Sequence, residues 1–312
     1  MKLAFVINGN VRRINTVVSE IKEAFTQHDI GIFISEYAQH YTTLVQEALK
    51  DNFINFILVG GDGSLNEGIN AIIQFYKSGE EYNWTAIASV KIAVYPAGSG
   101  NDFVKTLYCN QINSIFDLKA LIEKDASKMI DVGLVHYQNK TKDNAVRFYI
   151  NITDVGVGGD TVERKDRVPK WLGANISYMW AITSSITQYN SIQMEASYDG
   201  QHWSGRAMSF VVANGKYFGN GLCVAPDAEL DSGCFDITVV GNINLFEYIK
   251  NLGKIKKGIR IEHPEVHYFR AKEVMIISAS NDLVTIDMDG DFIGYAPLKL
   301  TCLPSKLCFF VL

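Results

Sequence analysis

Two nearly unbroken apolar runs, each halted by a glycine-rich turn, constrain this chain more than any other feature. Residues 53–59 end at Gly60-Gly61-Asp62-Gly63, and residues 90–95 end at Pro96-Ala97-Gly98-Ser99-Gly100. Strands with so little polar alternation are covered on both faces. Residues 3–7 and 30–35 are also strand-like, while 11–25, 42–49 and 65–76 carry apolar residues at helical spacing. Such alternation implies a mostly parallel sheet with helices on both sides, a three-layer α/β domain.

The pattern changes near residue 126. Strand-like runs then follow one another at 130–137, 147–153, 191–198, 207–213, 235–240, 273–278 and 282–287, with helical interruptions at about 174–187 and 245–252. This is an all-β pattern with insertions, read as a β-sandwich or barrel-like second domain. The expected organisation is an α/β domain over 1–126 and an all-β domain over 127–312, with the last residues free to pack back on the first domain.

The charge balance excludes some partners. A net charge of −5 over 312 residues gives no broad basic face for nucleic acid and no global attraction to anionic lipid, so any membrane contact would be local. Five cysteines without a Cys-x-x-Cys pair read as free thiols of a reducing cytosol. The first residues read as a strand rather than a signal peptide, and no stretch approaches the ~18 apolar residues of a membrane span.

The chemistry concentrates where strands stop. Gly60-Gly61-Asp62-Gly63-Ser64-Leu65-Asn66-Glu67 joins a buried strand to a helix. Glycines there let a backbone approach a ligand, and the helix start offers N–H groups and a positive dipole end to phosphate. No Gly-Lys-Ser/Thr follows, so the loop is not a Walker A. Asn66 stands where a dinucleotide fingerprint has its third glycine. Pro96-Ala97-Gly98-Ser99-Gly100-Asn101-Asp102-Phe103 supplies a second such loop. There the plainer alternative is that Ser99, Asn101 or Asp102 caps the next helix. For Asp287, Asp289 and Asp291 the plainer alternative is a solvated turn.

Two further segments leave alternatives open. The cations Lys250, Lys254, Lys256, Lys257 and Arg260 suit anionic headgroups or a solvated helix end. Residues 164–172, followed by Tyr178, Met179 and Trp180, suit a membrane-interface lip or core packing.

Gly-Gly-Asp-Gly-Ser-x-Asn-Glu followed ~35 residues later by Pro-x-Gly-Ser-Gly-Asn-Asp-Phe resembles the diacylglycerol kinase catalytic-domain family, which includes bacterial lipid kinases and sphingosine and ceramide kinases. The segment 35–40, the run Asn151 to Asp160, Asn214-Gly215 through Gly221, Ala225 through Gly233 and Asp289-Gly290-Asp291 resemble the family's other motifs in order. The resemblance implies an ATP-binding N-terminal domain related to that of NAD kinases and a β-sandwich lipid domain. Asn8, Ser35, Gly60, Gly61, Asp62, Gly63, Ser64, Leu65, Asn66 and Ser99 would then contact nucleotide. Asp62, Asp102 and Asp289 would organise Mg²⁺ and its waters. Asp291, one methylene shorter than the family's Glu, would accept the proton of the substrate hydroxyl.

This sequence departs from the family in two other places. The early loop reads Asn8-Gly9-Asn10 and lacks the family's Pro. The segment that holds a structural Mg²⁺ in bacterial members has Ser232 at the Asp position, leaving Asp231 and the carbonyls of Glu229 and Cys234 as candidate ligands. The implied activity is transfer of the γ-phosphate of ATP to a lipid hydroxyl, with diacylglycerol as first choice. Phosphatidylglycerol, a sphingoid base or ceramide, an NAD kinase, and a nucleotide-regulated lipid-binding protein stay open. The implied setting is the cytoplasm, peripheral to the inner face of the membrane, and pairing of two copies through a sheet edge is left open.

Overall fold

A computed structural model describes residues 1–37, 39–159, 161, 184, 189–278 and 283–312. The chain divides into a first unit, Met1–Asp131 with Ser305–Leu312, and a second, Val132–Pro304.

The first unit begins β1 (Lys2–Ile7), α1 (Ile14–Ala24), β2 (Asp29–Ile34), α2 (His40–Lys50), β3 (Asn55–Gly60) and α3 (Asp62–Phe75). A two-strand ribbon, β4 (Lys77–Ser78) and β5 (Glu81–Tyr82), leads through α4 (Trp84–Ala88) to β6 (Lys91–Pro96), α5 (Asp102–Tyr108) and α6 (Ile115–Lys124). The sheet order is β2-β1-β3-β6, all parallel. The residues of β1 and β3 are buried almost throughout, whereas β2, at the edge, is half-buried. That burial explains the unbroken apolar runs. These parallel strands end at the same edge, so both glycine loops of the sequence reading arrive there.

Strand β7 (Ser127–Asn139) begins in the first unit and continues into the second, where β8 (Asn144–Tyr149), β9 (Ile152–Gly156), β10 (Ile192–Tyr198), β11 (Gln201–Ala207) and β12 (Ser209–Ala213) follow. A small hairpin of β13 (Tyr217–Phe218) and β14 (Leu222–Cys223) precedes β15 (Phe235–Val240), α7 (Leu245–Lys256), β16 (Val266–Ala271), β17 (Glu273–Ser278), β18 (Thr285–Met288) and β19 (Asp291–Phe310). One antiparallel layer runs β16-β15-β12-β9-β18-β19, and a second runs β11-β10-β17-β19. Strand β19 joins the two by pairing first with β18 and then with β17. Val155, Phe210, Ile237 and Ile286 from one layer and Met194, Ala196, Val274 and Ile276 from the other share one buried core. The arrangement is a β-sandwich, as expected. At its far end β19 pairs in parallel with β6 through Cys308 and Phe309, inside the first unit.

The expected strand over 147–153 is two strands. The break at Ile150 and Asn151 has a cause: the N–H groups of Ile150, Asn151 and Ile152 all turn to the Asp289 carboxylate. The reading also missed β11, β16 and β19. In β11 an exposed edge alternates polar residues (QHWSGRA), and β19 carries two prolines that read as breaks. Outside the described residues lie the expected helix over 174–187, apart from Ser184, and with it Tyr178, Met179 and Trp180. The segment 164–172, Ala38, Asp160 and residues 279–282 lie outside them too.

Candidate functional site

The two glycine loops of the first unit touch. A Cβ on Gly98 would fall 2.3 Å from the Gly61 Cα, so the close approach needs glycine. Asp62 is the first residue of α3. The N-cap, Gly61, offers no side-chain cap to the first-turn amides. The Asp62 carboxylate reaches across instead. It accepts from the N–H of Asp102 at 3.0 Å and of Phe103 at 3.1 Å. The cap of α5 therefore comes from the other loop, not from Ser99, Asn101 or Asp102. Asn101 is left-handed (φ 51°), and its side chain bridges the N–H and carbonyl of Gly98 at 2.9 Å each.

Asp102 is buried and pairs with Lys105 Nζ at 2.6 Å, while Lys105 also donates to the Gly100 carbonyl at 2.8 Å. A Cβ at Gly100 would lie 3.2 Å from Asp62 Oδ2 and 3.5 Å from Asp102 Oδ2, so the two carboxylates converge on one spot. Burial first, and then the negative Asp102, push the Asp62 carboxyl up; the two amides and Lys105 oppose them. A like-charged pair held out of water is what a small hard cation relieves. Mg²⁺ keeps several waters and needs few protein oxygens, so these residues fit it.

The remaining nucleotide candidates divide. Asn8 Nδ2 donates to Ser64 Oγ at 2.7 Å, and the Gly9 N–H donates to Ser35 Oγ at 3.0 Å. The ends of β1, β2 and β3 are thus tied together despite the missing proline. Ser99 is exposed on its loop. Leu65 and Asn66 are buried, and Asn66 accepts from Asn70 Nδ2, so both sit beneath the loop rather than on it. Glu67 caps α2, accepting from the N–H and hydroxyl of Thr42 at 3.1 and 2.9 Å.

The second unit holds a different set of acids. Asp289 is left-handed (φ 50°) and only 6% exposed. Its carboxylate receives the amides of Ile150, Asn151 and Ile152 at 3.3, 3.2 and 2.9 Å. Asp287 is fully buried and lies directly across from Asp154 on the neighbouring strand. The alternative of a solvated turn thus fails for Asp287 and Asp289. Burial first, then the charge of Asp154, drive Asp287 well above the usual carboxylate range. Burial likewise pushes Asp154 up to about 6, against hydrogen bonds from Ser209 and from the Gly158 and Val155 amides. Asp291 alone is exposed, and Arg147 Nη2 lies 3.2 Å from it.

The candidate structural Mg²⁺ ligands are partly engaged. The Ser232 N–H donates to the Glu229 carbonyl at 3.3 Å, and its hydroxyl donates to the Cys234 carbonyl at 2.8 Å. Asp231 is exposed. Among the described residues, no group of three or more His, Cys, Asp or Glu side chains is placed to hold a metal ion.

A cavity of about 160 Å³ opens in the second unit. Val211, Leu222, Val240, Tyr248, Ile255 and Tyr268 give it apolar walls, and Asp154, Ser209 and Thr238 give it polar points. Among the described residues no helix is long and apolar enough to cross a membrane.

Several participants escaped the sequence reading. Lys105 had a signal, since Asp-x-x-Lys places both side chains on one helix face. Arg147 and Asp154 had none, because their partners lie 144 and 55 positions away.

An α/β unit with glycine loops at its strand ends, followed by a β-sandwich, defines a class shared with NAD kinases. Residues 152–311 match the model of the YegS C-terminal NAD kinase beta sandwich-like domain, and residues 2–135 match the diacylglycerol kinase catalytic domain. The chain belongs to the diacylglycerol kinase catalytic-domain family of lipid kinases. A diacylglycerol kinase of Staphylococcus carnosus is 27% identical over 280 residues, covering 89% of this chain and 83% of that one. One from Staphylococcus aureus is 26% identical over 287 residues, covering 91% and 82%. A solved structure from Bacillus anthracis shares the fold with a TM-score of 0.75 at 21% identity, covering 100% of this chain and 97% of that one.

Proposed function

We propose that this chain transfers the γ-phosphoryl group of ATP to a lipid hydroxyl, with diacylglycerol as the acceptor and phosphatidic acid as the product. The observation that carries the reading is the Asp62 carboxylate, which locks two glycine loops together beside the uncapped start of α3. Phosphoryl transfer asks for positioning and charge neutralisation rather than covalent chemistry by the protein. The first-turn amides of α3, Ser64 and Ser99 hold phosphate oxygens. Asp62 and Asp102 would hold Mg²⁺, and Lys105 orients the Asp102 carboxylate. Bound Mg²⁺ would neutralise charge building on the phosphate oxygens.

In the second unit, three amides fix the Asp289 carboxylate in place, and Asp291 accepts the proton of the acceptor hydroxyl. A carboxylate is a weak base, but it can take a proton late in a loose transition state. The new bond joins the lipid oxygen to phosphorus, the bond to the bridging oxygen breaks, and ADP leaves. The apolar cavity takes an acyl chain. The setting is the cytoplasmic side of a membrane, with contact at its surface.

The test is phosphate transfer from labelled ATP with Mg²⁺ to diacylglycerol, phosphatidylglycerol, sphingosine, ceramide and NAD, with Asp289→Asn as control. A labelled diacylglycerol that disappears in the variant supports the reading. Label in another lipid changes the acceptor, and label in NAD alone overturns the lipid reading.

A further inference from the structure

Helix α7 has two faces of different chemistry. Inward, Tyr248, Asn251 and Ile255 line the cavity, and Tyr248 packs on Leu222. Outward, Phe246 and Ile249 are 74% and 58% exposed. Lys250, Lys254, Lys256 and Lys257 are exposed on the same helix and its end. The positions 246, 249, 250, 253, 254 and 257 fall on one stripe by the three- and four-residue spacing of a helix. Among the described residues none of these four lysines has an ion-pair partner, whereas Arg260, just beyond, is engaged by Asp227 at 2.5 Å. The helix is held in place independently of its outer face: Asn244 and Glu247 form a reciprocal capping box.

We propose that the outer face of α7 seats on an anionic lipid bilayer, with Phe246 and Ile249 entering the acyl boundary and the four lysines meeting phosphate headgroups. An interfacial helix has this composition, with bulky apolar side chains ringed by lysine. Charge complementarity points to an anionic surface: a chain of net charge −5 gathers unpaired cations here, and lysines near a membrane are drawn to anionic leaflets. The inner face of the same helix walls the cavity, so docking would bring a lipid-accepting space to the lipid surface. This inference rests on the lipid-kinase reading for the reason a bilayer is met, and its test does not require catalysis.

The full chain is sedimented with vesicles of phosphatidylcholine alone and of phosphatidylcholine with phosphatidylglycerol, without ATP. Preferential binding to the anionic vesicles, weakened by salt, is expected. Lys250→Glu with Lys254→Glu should lower that binding by about tenfold or more, and Phe246→Ser with Ile249→Ser should lower it on both vesicle types. Both double variants should melt like the parent and phosphorylate a water-soluble short-chain diacylglycerol at the parent rate, while losing rate on vesicle-embedded substrate. Equal vesicle binding by parent and variants, or no binding by the parent, overturns the proposal. So does a dimer in sedimentation equilibrium that Phe246→Ser with Ile249→Ser dissolves. Vesicle binding that depends on these residues, with no transfer to any lipid, supports the surface and overturns the kinase reading instead.

Discussion

The acids of the two units differ in what answers their charge. In the first unit Asp62 has two amides and Asp102 has a lysine ammonium at 2.6 Å. In the second, Asp289 has three amides, whereas Asp154, with the Ser209 hydroxyl and the Gly158 amide, and Asp287, with the Gly290 amide, face each other across adjacent strands. A buried carboxylate stays charged only where donors or cations offset its lost hydration. Asp287 is driven well above the usual carboxylate range by burial and by Asp154, and burial raises Asp154 to about 6. Asp62 is pushed up too, by burial and by Asp102, so its two amides and Lys105 offset only part of that cost, and a cation at the pair would offset more.

The harshest way to break this comparison is Asp62→Ala. It removes an anion from the proposed Mg²⁺ site and the cap of α5 together. Phosphoryl transfer should fall by about 10³-fold or more, by analogy with loss of a preorganised electrostatic group. Initial rates with labelled ATP check it, and a variant of near-parental rate would mean that Asp62 serves the loops alone.

Asp154→Asn probes the facing pair. Its acid is raised from an ordinary 3.8 to about 6 in the fold. The folded state therefore binds the extra proton between those values, and this contribution to stability is present below pH 3.8 and lost as pH rises to about 6. At 1.36 kcal/mol per pKa unit the loss is on the order of 3 kcal/mol. Asn mimics the protonated acid: its oxygen can accept from Gly158 and its amide can donate to Ser209. Urea unfolding across pH 4 to 8 should show the parent losing stability relative to the variant through that window, with Asp287 facing the site throughout. Parallel curves would mean that burial does not raise Asp154.

Asp289→Asn should cost about 1–3 kcal/mol, the usual cost of leaving buried donors poorly satisfied. Asn tolerates the left-handed backbone, so Asp289→Ala should cost more, adding strain at φ 50°. Thermal melts of the two variants separate the charge from the backbone.

The first unit was legible from sequence because its signals are local. A run such as 53–59 is apolar because β3 is covered on both faces, and the glycine loop follows within the same dozen residues. The second unit was legible as a class but not in detail. The break between β8 and β9 is dictated by Asp289, 137 positions from Ile152, and no local pattern announces it. The same holds for the site. Asp62 and Asp102 stand in recognisable loops, but that one caps the helix of the other is a contact across 40 positions. Asp154 sits in a quoted motif with nothing nearby to mark it as buried opposite another acid.

The smallest expected effect falls on Glu67, which shares a motif with Asp62 yet answers to a different task. Among the described residues its carboxylate receives the N–H and hydroxyl of Thr42, a capping arrangement at the start of α2. Caps of this kind are worth about 1 kcal/mol. Glu67→Gln keeps an oxygen for the Thr42 amide, so it should lose at most about 1 kcal/mol and leave the KM for ATP unchanged. Thr42→Ala removes only the hydroxyl and should behave alike. Denaturant midpoints and ATP saturation curves on the same preparations decide between the roles. A weakened ATP affinity with unchanged stability would move Glu67 beside Asp62, and the acids of the first unit would then form one functional set rather than a catalytic pair beside a helix cap.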